Sequence, residues 1–143
     1  MLVVGAILSS LYSAQRSERY ASDRSAALDE MRNAMARFTK DLRQADGLEE
    51  GATSSNLEAD TYVNGVAARV EYTAAGGVLT RAVNGGSAEI LINRITEDTV
   101  FTFEPDATSA EVVKITLVVA PVSSPDTTIE LYSEVRMRNR GTT

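Results

Sequence analysis

The residues of this chain that could carry out chemistry are almost all carboxylates. The 143-residue sequence has no histidine and no cysteine, so it lacks the commonest general base, the thiolate nucleophile and the usual transition-metal ligands. Adjacent carboxylates occur at Asp29-Glu30, Glu49-Glu50 and Glu97-Asp98. A glycosidase needs two carboxyls held in one cleft, whereas neighbours on a strand point to opposite faces. We therefore interpret these pairs as solvated surface charge.

Calcium is the one metal that this set of residues favours, because it takes oxygen ligands only. Two segments could each supply two or three oxygens: "LEADT" (57–61) and "EPDATSAE" (104–111). The candidate ligands of the second segment are Glu104, Asp106, Ser109 and Glu111. Neither segment has the spacing of an EF-hand loop, so hydrogen bonding within a turn is the favoured interpretation. No glycine-rich phosphate-binding motif occurs. We expect a protein that is not an enzyme and has no cofactor.

Charge is unevenly distributed along the chain. The net charge is −6, and residues 47–143 carry 14 carboxylates against seven basic side chains. Such an acidic body repels phosphate backbones, so we predict no nucleic-acid partner for it. Arg136, Arg138 and Arg140 alternate near the C-terminus and would place three cations on one strand face. They could pair with the acidic body or protect a sheet edge.

The first element predicted by the sequence is one long helix. Residues 13–45 contain no proline and no glycine and are rich in helix-forming residues. With the apolar run before them, they predict a helix of about forty residues that Gly47 would end. In its second half, apolar residues recur at spacings of three and four and form one stripe. These residues are Leu28, Met31, Met35, Phe38, Leu42 and Ala45.

The first twelve residues, "MLVVGAILSSLY", are uncharged. As a helix they span roughly 18 Å, less than the ~30 Å hydrocarbon core of a bilayer. They also make a poor signal peptide, because no basic residue precedes the apolar run. We interpret them as the C-terminal end of a longer apolar helix. The alternative is a helix end that packs on its own domain.

After Gly47 the pattern becomes that of β-strands. Asn64-Gly65 and the "NGG" at 84–86 are hairpin signals, and "GLEEGATSSN" (47–56) has the composition of a polar loop. The most hydrophobic strand, within "AEVVKITLVVAPV", is expected at the centre, and the last strand alternates inward residues from Ile129 to Met137. The sequence thus predicts an α+β fold with six or seven strands in one antiparallel sheet. One face of that sheet would cover the helix stripe; a coiled-coil partner is the weaker alternative.

The order of these segments resembles the type IV pilin-like family. The segment "LDEMRNAMARFTKDLRQADGL" is similar to the helix of minor pilins and of J-type minor pseudopilins of type II secretion, with a "DLRQA"-like ending at 41–45. "VEYTAAGGVLTRAV" resembles their hairpin, "LINRITEDTVFTFEPD" the next strand pair, and "ELYSEVRMRN" the closing strand. The chain lacks the prepilin leader and the "GFTLIE"-like junction of that family. Either it would begin inside the transmembrane helix, or this copy has lost its processing site.

The resemblance implies a pilin-like fold in two parts: a protruding helix half (1–27) and a globular helix-on-sheet domain (28–143). It implies a structural subunit of a bacterial pilus or secretion filament, near the tip, in the cell envelope. Its partners would be other pilin-like subunits and the inner membrane, contacted through Leu2, Val3, Val4, Ile7, Leu8 and Leu11. The residues expected to hold the helix on the sheet are Leu28, Met31, Met35, Phe38 and Leu42. The alternative function is a stand-alone soluble module that binds protein or carbohydrate.

Overall fold

The structure, a computed structural model, describes residues 2–137, with side chains from residue 6 onward. One long helix precedes eight strands. The elements are α1 (Leu2–Arg43), β1 (Gly47–Leu48), β2 (Asn56–Val63), β3 (Val66–Ala75), β4 (Val78–Val83), β5 (Glu89–Asn93), β6 (Phe101–Glu104), β7 (Val112–Val119) and β8 (Ile129–Arg136). The architecture is α+β, with the helix packed on antiparallel strands, as the sequence predicts.

The helix has the predicted length of about forty residues, but its end differs from the prediction. It stops at Arg43, and Gly47 is the first residue of β1 rather than a helix cap. After the helix, the Ala45 amide donates to the Leu42 carbonyl at 3.2 Å and closes a turn. Strand β1 begins two residues later. The segment 47–56 is therefore not simply a polar loop, because Gly47 and Leu48 pair with Asp60 and Ala59 of β2.

The strands form two sheets rather than one. Five strands pair in the order β1-β2-β3-β4-β5, and three pair in the order β6-β7-β8. The prediction of a single sheet of six or seven strands was wrong because the chain turns away after β5. Arg94 has φ +66°, and Ile95 then forms an isolated bridge to Val119 at the end of β7 instead of a hairpin with β5.

Turn residues fix the register of the first sheet. Asn64 and Gly65, with φ +52° and +79°, connect β2 to β3, which is the left-handed conformation that an Asn-Gly hairpin adopts. Asn84 and Gly85 repeat this geometry after β4. The predicted turns are thus present, and β7 is the central strand of its sheet, as its composition indicates.

The core lies where the second half of the helix meets both sheets. Phe38 is fully buried, with its ring 5.3 Å from that of Tyr72 in an edge-to-face arrangement and 5.6 Å from that of Phe101 in a stacked one. Tyr72 belongs to the five-stranded sheet and Phe101 to the three-stranded sheet. The helix therefore joins the two sheets through one aromatic side chain.

Candidate functional site

The first half of α1 is exposed over its whole described length. Between residues 6 and 26 every side chain is exposed except Asp23, which is half-buried. Ile7, Leu8 and Leu11 expose 55%, 62% and 53% of their surface, and Tyr12 exposes 72%. Within residues 6–137 these apolar side chains are therefore clustered on one end of the helix and exposed.

Three of the six residues predicted for assembly can be placed with their side chains. Ile7, Leu8 and Leu11 are the exposed ones just described. The side chains of Leu2, Val3 and Val4 lie outside the described residues, although their backbone belongs to α1. None of the described helices is long and apolar enough to cross a membrane.

The helix–sheet residues lie together in the core. Met31, Phe38 and Leu42 are fully buried, Met35 is 8% exposed, and Leu28 packs against the same cluster while remaining partly exposed. Burial therefore begins near Ala27 and continues to the end of the helix. Both halves of α1 have the same helical backbone, but only the second half packs against the sheets.

A buried polar network holds the last turn of the helix to the first sheet. Tyr72 Oη donates to Asp41 Oδ2 at 2.6 Å, and Arg81 Nε donates to the same oxygen at 2.9 Å. Thr61 Oγ1 donates to the Asp41 carbonyl at 2.6 Å. Three neighbouring strands, β2, β3 and β4, thus bind one helix residue. We call these four residues the Asp41 network.

Burial governs the electrostatics of this network. The Asp41 and Arg81 side chains are only 6% and 12% exposed. Burial raises the pKa of the Tyr72 hydroxyl well above its usual range, and the neighbouring Asp41 carboxylate raises it further. Burial works against the charge of Arg81, but the hydrogen bond to Asp41 prevails and raises the pKa of Arg81. The network keeps Tyr72 as a hydrogen-bond donor, and it has the character of a structural attachment.

The sequence does not single out the Asp41 network as a unit, although its four members lie in the segments "DLRQA", "LEADT", "VEYT" and "LTRAV". One signal was available. Asp41 lies between Phe38 and Leu42, beside the apolar stripe, and a carboxylate so close to a buried stripe needs partners. The sequence does not show that Tyr72 and Arg81 supply them, because that depends on the register of β3 and β4.

A groove runs between the last turns of α1 and strand β8. It has a volume of about 640 Å³, and Met35 and Leu131 contribute its apolar lining. Arg32, Lys40 and Arg43 stand along its helix side. On the opposite flank of α1, Arg37 Nη1 donates to Glu89 Oε2 of β5 at 2.6 Å. The basic side chains of the helix therefore lie on both flanks, but within residues 6–137 only Arg37, on the β5 side, pairs with a carboxylate of the sheets.

A second recess, of about 570 Å³, lies beside the exposed helix half. Tyr12, Arg16, Arg19 and Tyr20 line it together with Ser123 from the loop between β7 and β8. The globular part thus approaches the charged middle of the helix through this loop. The recess contains two arginines from the segment between the apolar tip and the buried stripe.

The two segments considered as calcium ligands form a strand and a hydrogen-bonded turn. The segment 57–61 is part of β2 rather than a loop. In the other segment, Asp106 Oδ1 accepts hydrogen bonds from the amide and the hydroxyl of both Thr108 and Ser109, at 2.7–2.9 Å, and Glu104 pairs with Lys114. These bonds lower the pKa of Asp106 to about 2. Among the described residues no group of three or more acidic side chains could hold a metal ion.

The predicted stripe of three arginines is described only in part. Arg136 is an exposed residue at the end of β8, and Arg138 and Arg140 lie outside the described residues. The adjacent carboxylates Asp29-Glu30 and Glu97-Asp98 are exposed.

Comparison with known proteins gives no assignment, since no family model, curated protein or solved structure matches the chain.

Proposed function

We propose that this protein is a non-catalytic structural subunit of a filament, of the minor pilin or pseudopilin type, in a bacterial type IV pilus or type II secretion system. Its exposed helix half would contact other subunits and the inner membrane, and its globular part would be displayed in the cell envelope. The resemblance of the ordered segments to that family carries the specific assignment, and the structure contributes the contrast between the two halves of α1.

The structural observation that supports the proposal is this contrast. A helix of 42 residues is about 63 Å long, yet only about its last two-fifths, from Ala27 onward, packs on its own sheets. The remainder bears apolar side chains at the tip and charged ones in the middle. Exposed apolar helix ends would pack with one another in a filament core, while the charged middle would lie at its junction with the globular parts.

A matched pair of triple variants tests the proposal. Ile7→Ser, Leu8→Ser and Leu11→Ser together remove the exposed apolar tip. Val66→Ser, Ile90→Ser and Val122→Ser remove three side chains of the globular part that are similarly exposed, at 57–68%. Sedimentation velocity and detergent partitioning measure association with other copies and with apolar phases.

We expect the tip variant to lose self-association and detergent binding, while the globular variant keeps both. If the tip variant behaves like the unsubstituted protein, the filament proposal fails and the soluble binding module becomes the better hypothesis. Neighbouring genes for a prepilin peptidase, an assembly ATPase or other pilin-like proteins would provide independent support, and their absence would count against it.

A further inference from the structure

Strand β8 has one unpaired edge, and the groove described above lies beside it. In the three-stranded sheet β7 is central, so β8 pairs on one side only within residues 2–137. The Met137 amide donates to the Glu111 carbonyl, and Val112 lies opposite Arg136. Antiparallel strands alternate between bonded and non-bonded pairs, so odd-numbered residues of β8 bond to β7. The amides and carbonyls of Glu130, Tyr132 and Glu134 therefore face the open edge.

The groove beside this edge is basic and has an apolar floor. Arg32, Lys40 and Arg43 line it, and no carboxylate of residues 6–137 is among its lining residues. Within that range Lys40 and Arg43 form no ion pair, and Arg32 has only a long 3.8 Å contact with Asp29, both side chains being two-thirds exposed. No carboxylate of residues 6–137 therefore neutralises the cations of the groove closely.

The dimensions match a short strand. Arg32 and Arg43 are eleven residues apart on one helix, or roughly 16 Å, and an extended chain covers that distance with about five residues. A strand added to β8 would direct alternate side chains towards the helix and the others away from it. Glu130 and Glu134 project from the opposite face of β8, so carboxylates on the away-facing positions would be repelled.

We propose that the edge of β8 and the basic groove form a docking site for an extended acidic segment of another protein, added as a fourth strand of the β6-β7-β8 sheet. Main-chain hydrogen bonds to Glu130, Tyr132 and Glu134 supply affinity, and carboxylates at alternate positions pair with Arg32, Lys40 and Arg43. This site is separate from the exposed helix tip and does not depend on filament assembly.

A synthetic peptide tests the proposal. It has about seven residues, in which glutamate alternates with threonine, and its ends are blocked. Binding to the full chain is measured by calorimetry at low ionic strength. The comparison peptides replace each glutamate with lysine, or carry N-methyl groups on alternate amides so that they cannot pair as a strand.

We expect the acidic peptide to bind and both comparison peptides to fail. Lys40→Glu with Arg43→Glu should weaken binding at least about tenfold, because two attractive charges become repulsive. The matched variant Arg19→Glu with Arg24→Glu, on the exposed helix half, should change it less than about twofold. Tyr132→Pro removes an edge amide that β7 does not use and should also abolish binding, while circular dichroism confirms that the variant is folded.

The proposal fails if the acidic peptide does not bind, if the lysine peptide binds equally well, or if the Lys40 and Arg43 substitutions have no effect. If the chain instead self-associates in a manner that these substitutions abolish, a second copy occupies the groove, and the assignment to another protein is overturned. The tip variant defined under the proposed function should bind the peptide normally, so failure of one proposal is distinguishable from failure of the other.

Discussion

Tyr72 donates a 2.6 Å hydrogen bond to Asp41, and this bond joins the middle of the five-stranded sheet to the last turns of the long helix. Arg81 shares the same carboxylate oxygen from the next strand. A buried carboxylate is costly unless it is fully hydrogen-bonded, so these partners are required by the burial of Asp41. Asp41 therefore helps to fix the position of the helix end on the sheet, as the apolar stripe does for the turns before it.

Removing Arg81 should destabilise the fold strongly. Arg81→Met leaves the Asp41 carboxylate buried without its cation, for which we expect a loss of about 3–5 kcal/mol in the free energy of unfolding. Arg37→Met removes an arginine–carboxylate pair with a similar distance, but one that is half-exposed, and should cost about 1 kcal/mol or less. Urea denaturation of both variants measures the two losses in the free energy of unfolding. Equal losses would contradict the inference that burial makes the Arg81–Asp41 pair more important than the exposed pair.

Removing the buried Phe38 ring should destabilise the fold far more than a substitution on the exposed side of the same helix. Phe38→Ala deletes a fully buried ring that contacts both sheets, and we expect a loss of about 3–5 kcal/mol. Asn33→Ala, on the exposed side of the same helix, should change stability by about 0.5 kcal/mol or less. Thermal and urea unfolding provide the measurement. A small effect of Phe38→Ala would mean that the sheets hold together without the helix.

The Tyr72 hydroxyl should make stability depend on alkaline pH. Its pKa is raised in the folded state above the ordinary value of 10, so the folded state keeps a proton that the unfolded state releases. The resulting stability is present below pH 10 and is lost as the pH rises further. We therefore expect the advantage of the unsubstituted protein over Tyr72→Phe to shrink above pH 10. Tyr62→Phe, at an exposed position, is the control and should show no such convergence.

Asp106 should produce the opposite dependence at acidic pH. Its folded pKa is lowered from 3.8 to about 2, so its contribution to stability is present above pH 4 and disappears as the pH falls towards 2. We expect the difference in melting temperature between the unsubstituted protein and Asp106→Asn to narrow over this interval. Carboxyl titration by NMR should give a midpoint near 2 for Asp106, and a midpoint near 3.8 would disprove the hydrogen-bonded loop.

Local patterns in the sequence predict the helix, its buried stripe and the Asn-Gly hairpins because each depends on neighbouring residues. The division into two sheets occurs after β5, where Arg94 adopts a positive φ that no local pattern marks. Strand β1 has two residues and exists only because β2 lies beside it. The apolar character of the tip follows from composition, but its exposure does not. The Asp41 network and the basic groove require knowledge of strand register.

One consequence of the long helix concerns force. The exposed tip and the buried stripe belong to a single unbroken α-helix, so tension applied at the tip is transmitted along the backbone to the Asp41 network and Phe38. Both groups of contacts would be sheared in parallel rather than peeled one after another. A chain pulled by the tip of this helix would therefore resist as one body up to the load at which the helix slides off both sheets together.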